Sequence, residues 1–207
     1  MEKITRPLYI GIAGNMGVGK TSLVQLLSKE FDWKSNYESV ENNPYLSDFY
    51  GDMKKYSFPL QIHFLHDRFN QVLEIKNSKQ TVIQDRTIYE DAYIFAKSLH
   101  NMKLMTSRDY ENYQSLFKTM SEIITPPDLI IYLKSDIPKI VHQIKKRGRE
   151  YENEIDVEYL KGLNDNYNEW MDGYKHKQLV IDTNDLDFVN NPEDFELVVN
   201  KILLSLK

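Results

Sequence analysis

The chain has 207 residues, 41% of them hydrophobic, with 26 Lys and Arg against 31 Asp and Glu and a formal net charge of −5. Such a chain can bury a core without disulfide or metal staples, and the acidic balance argues against nonspecific nucleic-acid binding. The absence of cysteine removes disulfides, thiolate metal sites and a cysteine nucleophile, and suits a reducing cytoplasm. No apolar run approaches the ~18 residues of a membrane span, and Met1 to Pro7 leads into a short strand with no signal-type segment.

Leu8 to Ile12 is apolar and partly β-branched, which predicts a buried strand. Gly14 to Thr21 follows as Gly-Asn-Met-Gly-Val-Gly-Lys-Thr, the phosphate-loop pattern G-x-x-x-x-G-K-[ST]. Ser22 to Phe31 then carries Leu23, Leu26, Leu27 and Phe31 at helical spacing. Backbone N–H groups must wrap a triphosphate closely, and the following helix adds positive potential at its N-terminus. Gly14, Asn15, Met16, Gly17, Val18, Gly19, Lys20, Thr21 and Ser22 are therefore the expected nucleotide-binding residues, with Lys20 on the β and γ phosphates and the Thr21 hydroxyl on Mg²⁺.

Asn36 to Glu41 reads as a short strand ending in a carboxylate, and Asn42-Asn43-Pro44 as a turn. Tyr45 to Met53 and Ser57 to Asn77 read as helices, Thr81 to Arg86 as a buried strand ending in charge, and Asp91 to His100 and Ser107 to Ile124 as further helices. Pro126-Pro127 ends the last of these. Asp128 to Leu133 is another buried strand. A helix capped by Ser135 or Asp136 follows, ending in Lys145-Lys146-Arg147-Gly148, cations and glycine where a C-terminus favours them. An amphipathic helix through Tyr159 to Met171, a strand over Gln178 to Ile181 and a helix from Asn191 onward complete the chain. Strands alternate with helices, and no repeat, linker or low-complexity run interrupts them. The expectation is one α/β domain over residues 1–207: a P-loop NTPase-like three-layer fold with a parallel sheet of about five strands, helices on both faces, and active groups at the strand C-termini.

Three stretches carry a resemblance: Val40-Glu41-Asn42-Asn43-Pro44-Tyr45, Asp85-Arg86-Thr87-Ile88-Tyr89-Glu90-Asp91, and Lys146-Arg147-Gly148-Arg149-Glu150-Tyr151-Glu152. Together they resemble the deoxynucleoside kinases, in particular the bacterial deoxyadenosine/deoxyguanosine kinase branch, over nearly the whole chain. The resemblance implies a 5′-kinase that uses ATP and Mg²⁺. Glu41 would be the general base, Arg86 would lie near the 5′-hydroxyl, and Asp85 would help hold Mg²⁺ through water. A lid over about residues 145–156 would bring Arg147 and Arg149 onto the transferring phosphoryl. Glu152 and Tyr50 would share the sugar 3′-hydroxyl. Gln61, Arg68 and Asp91 would recognise the base, with Phe95 stacking and Phe64 narrowing the pocket. Gln61 offers one donor and one acceptor, which matches adenine or cytosine and, flipped, guanine or thymine. The resemblance further implies a cytoplasmic homodimer through Ser57–Asn77 and Asp91–Ile124 and feedback by a deoxynucleoside triphosphate. Gln143 departs from the pattern, since several relatives carry arginine there over the donor adenine, and Lys103 to Tyr113 matches none of the family's stretches.

A nucleoside monophosphate kinase, such as a thymidylate kinase, shares the loop, a DR motif and an Arg lid, but its acceptor phosphate needs no carboxylate base. A GTP-binding switch is weaker still. Asp48-Phe49-Tyr50-Gly51 satisfies D-x-x-G away from any apolar strand, and the chain holds no [NT]-K-x-D.

Overall fold

A computed structural model describes residues 6–38, 43–149 and 155–207. Its middle layer is a five-stranded parallel sheet: β1 Tyr9–Gly14, β2 Lys34–Asn36, β3 Val82–Asp85, β4 Leu129–Lys134 and β5 Gln178–Asp182, in the order β2-β3-β1-β4-β5. The order reverses at β1, so a crevice opens beyond its C-terminal end. Ile12 pairs with Asp85 and Gly14 with Leu133. The phosphate loop therefore leaves the sheet level with the ends of β3 and β4.

Alternation along β1 sets the layers. Ile10 and Ile12, with Ile83, Ile131 and Leu133, pack on α1 (Lys20–Phe31) and α9 (Pro192–Ser205). On the other face, Tyr9 and Val82 join the core of α3 (Met53–Lys76), while Ala13, Ile130 and Tyr132 meet α8 (Val157–Asp172). No described helix is long and apolar enough to cross a membrane.

Three elements differ from expectation, each for a local reason. β2 covers Lys34–Asn36, not Asn36–Glu41. Its only partner among the described residues is β3, and Asn36 already pairs with Gln84, one residue short of the end of that strand. Glu41 falls in 39–42, outside the described residues. The long helix α3 begins at Met53 rather than Ser57, because Asp52 caps it by accepting from Lys55 N at 3.1 Å. The short α2 before it spans Leu46–Gly51.

The segment expected as one helix from Asp91 to His100 is composite: α4 Ile88–Glu90, a π-helix over Asp91–Ala96, then α5 Lys97–Asn101. The wider turn displaces backbone carbonyls, and neighbours take them up. Gln114 Nε2, on α6 (Ser107–Ser121), donates to Ala92 O, and Asn166 Nδ2 donates to Ile94 O, both at 3.3 Å. In the stretch before α6, Lys103 takes a left-handed turn (φ 59°) and Thr106 caps the helix. α7 spans Ile137–Arg147 and ends at Gly148 in the left-handed conformation.

Candidate active site

The phosphate loop is shaped by two tight approaches. A Cβ on Gly14 (φ 146°) would lie 2.6 Å from Leu133 O, and one on Gly19 (φ 101°) would lie 2.9 Å from Phe188 Cζ. Only glycine fits both. Lys20 Nζ donates to Gly14 O at 2.8 Å and Asn15 O at 3.0 Å, which folds the ammonium onto its own loop. Burial first, then nearby Arg86, lowers its pKa to about 8. The Asn15 side chain ties the loop to α8: its Nδ2 donates to Leu160 O at 2.9 Å and Asn164 Oδ1 at 2.6 Å, and its Oδ1 accepts from Met16 N at 2.8 Å, so Asn15 offers a ligand its backbone alone.

Thr21 Oγ1 donates to Asp85 Oδ2 at 2.5 Å, and Asp85 Oδ1 is buried without a hydrogen-bond partner. A hydroxyl, a carboxylate and an unsatisfied acceptor oxygen beside a phosphate loop fit a hard divalent cation that keeps waters and phosphate oxygens in its shell. Among the described residues, no group of three or more His, Asp or Glu gathers to hold a metal by itself.

A cavity of about 910 Å³ runs along both sides of the loop. On the β2–β3 side its wall holds Glu38, Tyr50, Gln61, Phe64, Arg86 and Phe95. Glu38 Oε1 lies 2.6 Å from Arg86 NH1 and 3.1 Å from Arg68 NH2. Burial alone would raise the Glu38 pKa, but Arg86, Arg68 and Lys20 outweigh it and hold the carboxyl below its ordinary value. Arg86 has a left-handed backbone (φ 68°), rare outside glycine, and its guanidinium stands 4.2 Å from the Phe95 ring centroid. Arg68 and Asp91 do not line the cavity. They pair behind its wall at 3.4 Å, and Arg68 also donates to Asp85 O at 3.3 Å. Burial pushes the Asp91 carboxyl up to about 7 against the pull of Arg68. Gln61 is 3% exposed and its Oε1 has no hydrogen-bond partner.

On the β4–β5 side the wall is built from α7 and the segment between β5 and α9. Gln143, Lys146 and Arg147 line it there with Leu186 to Asn190, while Arg149, also in the lining, stands near enough to Glu38 to help lower its pKa. Of the expected residues, Met16 to Ser22, Asp85 and the two arginines also line the cavity. Glu152 lies in 150–154 and, like Glu41, outside the described residues.

Residues 10–206 match the family model for deoxynucleoside kinase. This chain belongs to the deoxynucleoside kinase family. It is 38% identical over 204 residues to a deoxyadenosine/deoxycytidine kinase of Bacillus subtilis, covering 96% of this chain and 93% of that one. It is 40% identical over 198 residues to a deoxyadenosine kinase of Dictyostelium discoideum, covering 96% and 80%. A solved deoxyadenosine kinase from M. mycoides, with dCMP and a flexible dCDP bound, superposes with a TM-score of 0.84 at 34% identity over 94% of this chain and 98% of that one. The chain is thus a kinase of nucleosides with the P-loop NTPase-like fold.

Two buried or cavity-lining carboxylates went unread in the sequence. Among the described residues of the segment after β2, Glu38 is the carboxylate that the fold brings into the cavity. The signal was present: counting from the last paired residue of a strand that starts three residues after Phe31 adds Glu38 as a candidate beside Glu41. The second is Glu90, which is wholly buried. Its Oε2 accepts from Thr87 N at 2.7 Å and Thr87 Oγ1 at 3.3 Å, and its Oε1 accepts from Tyr167 OH at 2.8 Å and Gly14 N at 3.3 Å. One carboxylate thereby ties the phosphate loop, the turn that carries Arg86, and α8. Thr87-Ile88-Tyr89-Glu90 is a capping box, T-x-x-E, visible in the sequence.

Proposed function

We propose that this kinase transfers the γ-phosphoryl of ATP to the 5′-hydroxyl of a deoxynucleoside, purines preferred and deoxyadenosine first, giving the 5′-monophosphate in cytoplasmic nucleotide salvage. The observation that carries the reading is the Glu38 carboxylate, held ionised between Arg86 and Arg68 on the acceptor side of the phosphate loop. A neutral hydroxyl acceptor needs such a group to orient it and take its proton. The expected base, Glu41, stays a second candidate on the same segment.

Arg86 holds Glu38 in place and can donate to the same hydroxyl. Lys20, Arg147 and Arg149 surround the position of the transferring phosphoryl and neutralise the charge it spreads over its oxygens. Mg²⁺, when bound, would be held by Thr21 and by Asp85 through water, and would neutralise phosphate charge. The deoxynucleoside lies between Phe64 and Phe95, with Gln61 on its Watson–Crick edge, and Arg68, fixed by Asp91 behind the wall, would have to be reached through it. Tyr50 and Glu152 share the 3′-hydroxyl. Gln61 suits adenine and cytosine in the same orientation. Deoxycytidine would therefore be accepted below the purines, as the name of the Bacillus relative suggests for that enzyme.

We further infer a homodimer through α3 and the segment from the π-helix to α6, where Tyr93, Met102, Leu116 and Ile123 stand exposed. Feedback by a deoxynucleoside triphosphate is part of the same reading, since the M. mycoides enzyme has been solved with dATP and with dCTP. The test is a panel of four deoxynucleosides, four ribonucleosides and dTMP with labelled ATP and Mg²⁺. Deoxyadenosine should lead in kcat/KM. Tenfold preference for thymidine or deoxycytidine over both purines, or phosphorylation of dTMP alone, would overturn the reading.

A further inference from the structure

Lys139, in the first turn of α7, lines the β4–β5 half of the cavity, yet all its hydrogen bonds go to one turn of backbone. Its Nζ donates to Thr183 O, to Asn184 O at 3.0 Å and to Leu186 O at 2.9 Å. Three N–H donors meet three carbonyls, so the ammonium has no donor left for a phosphate. Converging carbonyls repel one another, and a cation at their focus removes that cost.

The gathered turn is tied to the rest of this half. Thr183 N donates to Lys134 O at 2.9 Å, and Asn184 Oδ1 accepts from Asp136 N at 2.9 Å and from Ser135 Oγ at 3.3 Å. The segment continues to Phe188, buried at 5% exposure, whose ring presses on Gly19 at the start of α1. The same short stretch thus walls the cavity and packs on the phosphate loop.

We propose that Lys139 is a positioning residue for the phosphate donor: a tethered monovalent cation that collects three carbonyls and so fixes the 183–188 wall and, through Phe188, the phosphate loop. The inference rests on the reading above that the acceptor takes the Glu38 side of the phosphate loop, which leaves the β4–β5 half to the donor nucleotide. It makes a prediction that ordinary packing does not. A small free cation of the same charge should replace a missing Lys139 side chain, and the effect should fall on one substrate.

The experiment compares wild type, Lys139→Ala, Lys139→Met and Lys139→Arg. KM for ATP and for deoxyadenosine is measured in NaCl, KCl, ammonium chloride and methylammonium chloride at fixed ionic strength. Lys139→Ala and Lys139→Met should raise the KM for ATP about tenfold, as for a lost charge-assisted hydrogen-bond set, and leave that for deoxyadenosine within about twofold. Ammonium or methylammonium should restore Lys139→Ala, whose side chain leaves room, and not Lys139→Met, whose stem fills the space. Equal rises in both KM values, no rise at all, or rescue no better than with NaCl would overturn the proposal. If Lys139→Ala does not fold, Lys139→Arg decides: a shift confined to ATP supports it, and a shift in both substrates overturns it. Failure of the broader reading looks different, since wild type would then phosphorylate no deoxynucleoside from ATP.

Discussion

The two halves of the cavity are built from different materials. The β2–β3 half is a lattice of buried charge: Glu38, Arg68, Arg86 and Asp91 contact one another directly, and each depends on its partner for tolerable burial. The β4–β5 half is held in shape by backbone, a turn whose carbonyls converge on a single ammonium and a glycine loop pressed by one aromatic ring, with side chains of α7 along its wall. A charge lattice distinguishes sharply between ligands but fails abruptly when one member is lost. A backbone wall recognises shape and charge in general and yields gradually. Substitutions on the two sides should therefore differ in kind as well as in size.

The largest effect should come from the centre of the lattice. Glu38→Gln is expected to lower kcat by roughly 10²–10⁴ with the fold intact, while Glu41→Gln stays much closer to wild type. Near-normal turnover in Glu38→Gln with collapse in Glu41→Gln would return the base to the position the sequence suggested. Next come the cations around the phosphoryl group. Lys20→Ala and Arg149→Ala should lose turnover by roughly 10²–10³ without a lower apo melting temperature. For Lys20 the sign is explicit. Its pKa falls to about 8 in the folded chain, so between about 8 and its ordinary value the unfolded chain holds more protons and stability rises with pH. A buried charged ammonium is a cost, and Lys20→Met should be at least as stable as wild type at neutral pH by thermal unfolding.

Asp91→Ala tests the lattice from its far end. Leaving Arg68 buried without this partner should cost about 3–5 kcal/mol in denaturant unfolding, and purine kcat/KM should fall more than thymidine kcat/KM. Equal loss for all four deoxynucleosides would make the pair structural only. At the sugar, adenosine and 3′-deoxy analogues should each be poorer than deoxyadenosine by about tenfold or more, because Tyr50 and Glu152 would lose their shared hydroxyl or meet an extra one. Equal kcat/KM for adenosine and deoxyadenosine would remove both residues from that role. The smallest effect should be on the backbone side. Phosphates drawing Lys20 from its carbonyls raise its pKa, so donor binding takes up a proton above pH 8, and KM for ATP should climb there by up to about tenfold per unit. A flat profile to pH 9.5 would mean that Lys20 stays charged throughout.

The phosphate loop was legible because strand, glycines, Lys20 and helix are contiguous and their spacing is itself the chemistry. The sheet followed from the alternation of elements, and the family pattern singled out Arg68 and Asp91, which the fold pairs. What stayed hidden depends on where a strand stops pairing or on which distant backbone a side chain meets. β2 ends one residue short of the end of β3, a fact of the partner strand, and the residues just past that end carry Glu38 into the cavity. Lys139 reads as an ordinary polar helix residue until the fold brings residues 183–186 against it. The π-helix is invisible to a search for period 3.6, because the residue it accommodates looks like any other.

That wide turn bears on how such a pocket can change over generations. A π-turn is most simply an α-helix holding one residue too many. Here it holds both Asp91, which braces Arg68, and Phe95, which supports Arg86. Losing one residue from Asp91–Ala96 would restore α-helical register and swing everything after it by about 100° relative to Asp91. Gln114 and Asn166 would then lose the carbonyls they now hold. A single codon deletion could thus remodel the acceptor end in a way that no substitution can, and lineages of this family are open to divergence by length as well as by residue type.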